Sequence, residues 1–225
     1  MHAASASQDS KPTRVRRWFE RLAGLRSASV IVWLNGTHGA GKTTTSRLVQ
    51  RLIPGSRVFD AEKVGETLMD ISPGLPVTNN FQNWPPWRPL VVETAHRVLD
   101  YVGGTLVVPM TVLVEQYWQE ISTGLAAHSI PVRHFVLHAD QKTLRTRIEN
   151  HHLGPSLFRL SYLEPYARAA SSWLHQEAEV VDTTHLTPDE TALQVAQALR
   201  HEMCSSSEDL ASEQHHGSRP PPTQP

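Results

Sequence analysis

The chain has 225 residues, of which 39% are hydrophobic, and a formal net charge of −1. That is long enough to bury a sizeable core and carries no overall pull toward nucleic acid or anionic lipid. One cysteine, Cys204, excludes an internal disulfide and suits a reducing compartment. No apolar run approaches the ~18 residues of a membrane span, and the N-terminus lacks the apolar centre of a secretion signal, so the expected location is cytoplasmic.

Residues 1–28 are basic, with Lys11, Arg14, Arg16, Arg17, Arg21 and Arg26 against Asp9 and Glu20. Val15, Trp18, Phe19, Leu22 and Leu25 fall on one face of a helix. Over residues 12–26 such a helix suits peripheral contact with an anionic membrane, and it equally suits docking on the rest of the chain or on a partner.

"SVIVWLN" (29–35) is a continuous apolar strand that runs into "GTHGAGKT", after which Leu48, Val49 and Leu52 recur at helical spacing. Strand and helix signals alternate four more times. "RVFD" (57–60) precedes "AEKVGETLMD", "TLVVPM" (105–110) precedes "VEQYWQEISTGL", "VRHFVLH" (132–138) precedes "DQKTLRTRIENHH", and "AEVVD" (178–182) precedes "TPDETALQVAQAL". Apolar strands between helices predict an α/β fold with a five-stranded parallel sheet covered on both faces. Thr187, Pro188 and Glu190 sign the last helix with a cap, a first-turn proline and a capping box. The segment 71–90, rich in proline and aromatic residues, fits neither period and is expected to be a covering loop. The division expected is a basic extension at 1–28, one domain at 29–203, and a disordered tail at 204–225.

Residues 36–43 match G-x-x-x-x-G-K-[ST] in full, between a strand and a helix as the motif requires. Glycines let successive N–H groups turn toward phosphate, and the helix start adds positive potential. Gly36, Thr37, His38, Gly39, Ala40, Gly41, Lys42, Thr43 and Thr44 are the expected nucleotide contacts. Lys42 bridges the outer phosphates, and the Thr43 hydroxyl is the expected Mg²⁺ ligand. His38 occupies a variable position whose side chain usually points outward.

Proteins with such a loop usually carry a magnesium-holding acid at the end of a later strand, but "TLVVPMT" ends in Pro109, Met110 and Thr111. Asp60, ending the second strand, stands at the same carboxyl edge of a parallel sheet. It can accept a hydroxyl proton or hold the magnesium shell, and it can also cap the helix that follows. Glu62 is read as an acid favoured by the first turn of that helix. Arg88 can hold a phosphate or carboxylate through two parallel bonds. Trp84 and Trp87 suit either stacking on a ligand or a small local core. His151 and His152, like His215 and His216, are adjacent and point apart, with no Cys or carboxylate at ligand spacing, which argues against a transition-metal site.

The series "VWLNGTHGAGKT", "VFDAEKVG", "FQNWPPWR", "LVVPMT", "EQYWQEI", "RHFVLHAD" and "TLRTR", in that order, resembles the tunicamycin-resistance ATP-binding proteins, a branch of the small P-loop kinases related to chloramphenicol phosphotransferase. The resemblance runs from about residue 31 to 150. It implies a strand order of 2-3-1-4-5, ATP and Mg²⁺ as cofactors, Asp60 as base or acceptor anchor, and substrate contacts at Asp60, Trp87 and Arg88. It also implies that Arg147 reaches the transferring phosphoryl group; the family's lid segment is not matched after His151, and Arg159 and Arg168 are candidates there by position alone.

The expected function is therefore transfer of the γ-phosphoryl of ATP to a hydroxyl of a small molecule, a nucleoside-type antibiotic such as tunicamycin being a candidate, with Lys42, Asp60 and Arg147 as catalytic residues. The alternative is a module that holds a toxic ligand in an ATP-dependent way without modifying it. No N-K-x-D guanine-reading motif occurs, and a motor ATPase needs the acid that Met110 and Thr111 replace.

Overall fold

The computed structural model describes residues 29–71, 73–152 and 154–200. The readings made for the basic extension and for the C-terminal tail lie outside the described residues.

β1 (Val30–Asn35) is buried from Ile31 onward and forms the centre of the sheet. Its side chains, mostly β-branched or aromatic, meet neighbours on both faces, and each fully buried Val or Ile contributes about 1.5–3 kcal/mol. β2 (Arg57–Val58), β3 (Thr105–Pro109), β4 (Val132–His138) and β5 (Glu179–Asp182) complete it. The order is β2-β3-β1-β4-β5, and every pair is parallel, as the sequence and its resemblance predict.

β2 is shorter than expected. After Val58 the ladder closes with the Phe59 N–H donating to the Val107 carbonyl at 2.9 Å, and the chain then leaves the sheet. Asp60 therefore stands beyond the strand, at the entrance to the next helix.

α1 (Lys42–Leu52) follows the glycine-rich loop and buries Val49 against the sheet. α2 (Glu62–Met69) follows β2, and α3 (Trp87–Val102) precedes β3. α3 begins two residues before Pro89, which sits in the first turn, where its missing N–H is not needed. α4 (Glu115–Ala127) and α5 (Gln141–Glu149) follow β3 and β4. Short helices α6 (Leu157–Leu160) and α7 (Leu163–Ala169), then a π-turn at Ala170–Leu174, return the chain to β5. Residues 188–200 form the last helix, α8, whose start carries the expected capping box. The Thr187 N–H and hydroxyl both donate to Glu190 at 2.8 Å.

The segment 71–90 does cover something. A short 3-10 helix, Phe81–Asn83, lays the Phe81 ring over Gly65 of α2, where a Cβ would come within 2.5 Å of the ring. Gly65 is thus the residue that lets this loop close against the domain.

Candidate nucleotide and acceptor site

The loop from Gly36 to Gly41 turns between β1 and α1. Gly36 has φ +130°, and a Cβ there would lie 2.6 Å from the Leu137 carbonyl oxygen, so β4 leaves room for hydrogen alone. Asn35 fixes the start of the turn. Its Oδ1 accepts from the Gly36 N–H at 2.8 Å and the Val112 N–H at 3.0 Å, while Nδ2 donates to the Val112 carbonyl at 2.9 Å. One buried amide so ties the loop to the segment after β3.

α1 starts at Gly41 without a side-chain cap and without an acidic residue in its first turn. Thr43 and Thr44, in its first turn, are exposed. The Lys42 ammonium donates to the Gly36 carbonyl at 3.0 Å and the Thr37 carbonyl at 2.9 Å. Burial brings its pKa down to about 8, against a smaller upward pull from Glu62. An uncapped helix start beside a dehydrated ammonium suits a polyphosphate, which supplies the charge both lack. Among the described residues no cluster of three His, Cys, Asp or Glu could hold a metal. The exposed Thr43 at the start of α1 is the residue that would hold Mg²⁺, an ion that takes few protein ligands beside those of a bound phosphate.

Asp60 is exposed, and its Oδ1 accepts from the Glu62 N–H at 3.1 Å, which ties it to the first residue of α2, although the cap position itself is Ala61 and carries no side-chain bond. Glu62 is the surprise. Its carboxyl is pushed above the ordinary glutamate range, first by loss of water and then by Asp60, with Lys42 opposing. The same carboxylate adds to the upward shift of Tyr162, whose main cause is burial. Glu62 is therefore coupled to the loop lysine, to Asp60 and to the lid, beyond the helix-end role expected for it.

Thr111 occupies the place where the strand-three acid is usually found, and it is buried. Its hydroxyl donates to the Gly36 carbonyl at 2.7 Å, and its own carbonyl accepts from Gln82 Nε2 at 2.7 Å. The position has become a brace for the loop.

His38 does project outward, onto the lid. Its ring meets Tyr162 edge-on at 5.0 Å and Phe158 at 5.7 Å. Burial first, then Lys42 and Arg159, lower its pKa to about 4, so it is a neutral packing group at physiological pH. Thr37 adds a second tie to the lid, its hydroxyl donating to the Tyr162 carbonyl at 3.3 Å.

Several expected contacts take other places. Trp87 is fully buried, its indole N–H donating to the Ala61 carbonyl at 3.2 Å and its ring lying 5.5 Å from Phe81. It has no face for a substrate and instead fixes the turn that carries Asp60. Trp84 similarly ties its indole N–H to the Pro76 carbonyl at 2.8 Å. Arg88 is buried. It pairs with Glu120, donates to the Gln82 carbonyl at 2.6 Å and lies over the Tyr117 ring, so from the first turn of α3 it clamps the preceding loop to α4 rather than holding a ligand; residues 87–90, expected as loop, are helical.

Arg147 adjoins Gly39, where a Cβ would lie 3.5 Å from its own. Its guanidinium, however, donates to the Thr183 hydroxyl at 3.0 Å and the Thr183 carbonyl at 2.6 Å, beyond β5. Asp60 follows β2, at the opposite edge of the sheet, so Arg147 points away from the carboxylates. Arg159 is the lid cation near enough to the loop for its charge to lower the pKa of His38. Arg168 is a solvated partner of Glu164 at 3.8 Å.

Beside the loop opens a cavity of about 300 Å³, whose lining includes Asn79, Gln82 and Asn83 on one side, Thr111 below, and Phe158 and Tyr162 on the lid. The cavity residues were not singled out from sequence, although four amides within positions 79–83 were a visible signal.

The fold and the loop have counterparts among solved structures. The chain is similar to the tunicamycin resistance protein of Deinococcus radiodurans, with 27% identity and a TM-score of 0.64 over 76% of this chain and 95% of that one. It also matches a sugar kinase from Janibacter sp. (20% identity, TM-score 0.56, 76% and 95% covered) and a gluconokinase from Sinorhizobium meliloti (17%, 0.55, 80% and 97%). At their identities these last two show the fold alone. No protein-family model matches the chain, and no curated protein matches it. The chain thus has the five-stranded P-loop kinase fold, and the resemblance read from its motifs extends to three dimensions.

Proposed function

We propose that this protein transfers the γ-phosphoryl group of ATP to a hydroxyl of a small molecule held in the 300 Å³ cavity. One observation carries the reading: the phosphate loop is bonded directly to the cavity lining, the Gly36 carbonyl accepting from the Thr111 hydroxyl at 2.7 Å and the Thr37 hydroxyl donating to the Tyr162 carbonyl at 3.3 Å, so a nucleotide on the loop would stand beside whatever the cavity holds. Phosphoryl transfer needs little else, since positioning and charge stabilisation supply most of the rate.

In this scheme the loop N–H groups and Lys42 hold the phosphates, and Thr43 shares the magnesium ion. Bound Mg²⁺ supplies charge neutralisation on the phosphate oxygens. The Asp60 carboxylate accepts the proton of the attacking hydroxyl as its oxygen bonds to phosphorus and the bond to the β-phosphate oxygen breaks, releasing ADP. Arg159, the lid cation near the loop, stabilises the spreading negative charge. The name of the Deinococcus protein puts nucleoside-type antibiotics, tunicamycin included, first among acceptors to assay. The cytoplasm, where ATP is supplied, is the proposed site of action.

A second reading, ATP-dependent holding of a ligand without chemistry, is favoured by the Asp60 bond to the Glu62 N–H, which is a complete structural role in itself. One assay separates the two. Full-length protein is incubated with MgATP and a panel of hydroxylated antibiotics, and products are followed by mass spectrometry. A phosphorylated antibiotic with matching ADP supports transfer; ligand binding with neither product supports holding.

A further inference from the structure

The cavity beside the loop is lined without a single Lys, Arg, His, Asp or Glu. Its polar wall is amide. Asn80 Oδ1 accepts from the Gln82 N–H at 3.0 Å, Gln82 Nε2 donates to Thr111, and Asn83 bridges the Thr78 and Tyr117 hydroxyls at 3.1 and 3.2 Å. These bonds hold the wall in place yet leave capacity over, since each amide has two donors and a carbonyl with two lone pairs. Across from it stand Leu113, Val114 and Phe158.

The cations nearby are not part of the cavity's lining. Arg88 reaches only the rear of the wall, through the Gln82 carbonyl, and is held by Glu120 and Tyr117. Lys42 is turned to the loop, and Arg159, though near His38, is not among the lining residues. A carboxylate or phosphate on the acceptor would lose its water here and find no cation in the lining. An ammonium would find no acid in the lining to pair with.

We infer that the molecule taken by this cavity is uncharged where it is bound, offering hydroxyl or amide groups to the Asn79–Asn83 wall and an apolar face to Leu113, Val114 and Phe158. The inference rests on reading the cavity as the acceptor pocket, but it concerns what binds rather than whether it is phosphorylated.

The test uses four sugars that differ in one substituent: methyl glucoside, methyl N-acetylglucosaminide, methyl glucuronide and methyl glucosaminide. Affinities for the full-length protein are measured by ligand-observed NMR in the presence of Mg²⁺ and a non-hydrolysable ATP analogue. The two neutral sugars should bind at least about tenfold more tightly than the carboxylate and the ammonium members, as expected when a charge is dehydrated without a partner. Asn79→Lys, which places a cation on the wall, should narrow or reverse the preference between glucoside and glucuronide. Failure of both neutral sugars to bind, or equal or tighter binding of a charged member, overturns the inference. Neutral sugars that bind but yield no ADP or phosphosugar with ATP remove the transfer reading and leave this one standing.

Discussion

The Gly36 carbonyl oxygen accepts two hydrogen bonds, from Lys42 Nζ at 3.0 Å and from the Thr111 hydroxyl at 2.7 Å. The lysine that defines the phosphate loop and the residue that replaced the strand-three acid therefore converge on one atom at the loop's first glycine. An acid at position 111 would set its charge against that carbonyl, whereas threonine can donate to it. Loss of the acid here is compatible with the loop because the hydroxyl took over a bracing role.

From this follows the behaviour of Thr111→Val, which keeps the shape and removes the donor. The buried carbonyl retains Lys42, so the cost should be about 1 kcal/mol in stability, at the low end for a broken buried bond. Chemical denaturation checks the stability, and ATP titration should show a modest loss of affinity with turnover otherwise intact. A loss of turnover of a hundredfold or more would mean that Thr111 touches the reacting groups.

Lys42 makes nucleotide binding depend on pH. Its folded pKa of about 8 lies below its ordinary 10.5, so between these values the unfolded chain binds the extra proton. Stability of the nucleotide-free protein therefore gains from this group as pH rises from about 8 to 10.5, and the dehydrated charge costs most below 8. Phosphates restore the proton, so ATP affinity should fall as pH rises past about 8, by up to tenfold per pH unit. Calorimetry in buffers of different ionisation enthalpy should show proton uptake on binding at pH 8–9. Lys42→Arg, which stays charged, should abolish that uptake, and Lys42→Ala should lose nucleotide binding while keeping the fold.

The two arginines make opposite predictions. Arg147 is anchored to Thr183 beyond β5, so Arg147→Ala should raise the KM for ATP several-fold with a smaller change in kcat. Arg159 lies near the loop, and Arg159→Ala should lower kcat by about 10³-fold, in the range seen for arginines that stabilise a transferring phosphoryl group. Steady-state kinetics on both variants decide the assignment; the reverse pattern restores Arg147 to the transfer step.

What could be read in the sequence divides along physical lines. The phosphate loop and the strand order were legible because contiguous residues impose them: an apolar run, a fixed glycine spacing, a resemblance spread along the chain. The role of Trp87 was not, because a tryptophan beside prolines looks the same whether its indole meets a ligand or, as here, the Ala61 carbonyl. Arg88 was misjudged for a related reason, since its partner Glu120 lies 32 positions away on α4. Glu62 looked like an ordinary first-turn acid, and only the fold brings it toward Lys42 and Tyr162. Pairings between distant residues leave no local pattern.

Asp60 and Glu62 give the last prediction, because only one of them need be the base. Asp60→Asn keeps the shape and the tie to the start of α2, since an asparagine oxygen can still accept from the Glu62 N–H. What disappears is the charge that takes the hydroxyl proton, and such contributions are on the order of 10²–10⁴-fold in rate. Nucleotide affinity should change little while transfer falls by at least about a hundredfold. Glu62 has a carboxyl raised by dehydration and by Asp60, so removing the Asp60 charge should also lower the Glu62 pKa. Glu62→Gln should then cost less in rate than Asp60→Asn and act mainly through Lys42, whose pKa loses an upward pull and whose hold on phosphate weakens at high pH. Both variants are to be assayed with one acceptor over pH 5–9. If Glu62→Gln gives the deeper fall in kcat and Asp60→Asn runs near the parent rate, Asp60 serves only to hold the start of α2, and the base is Glu62.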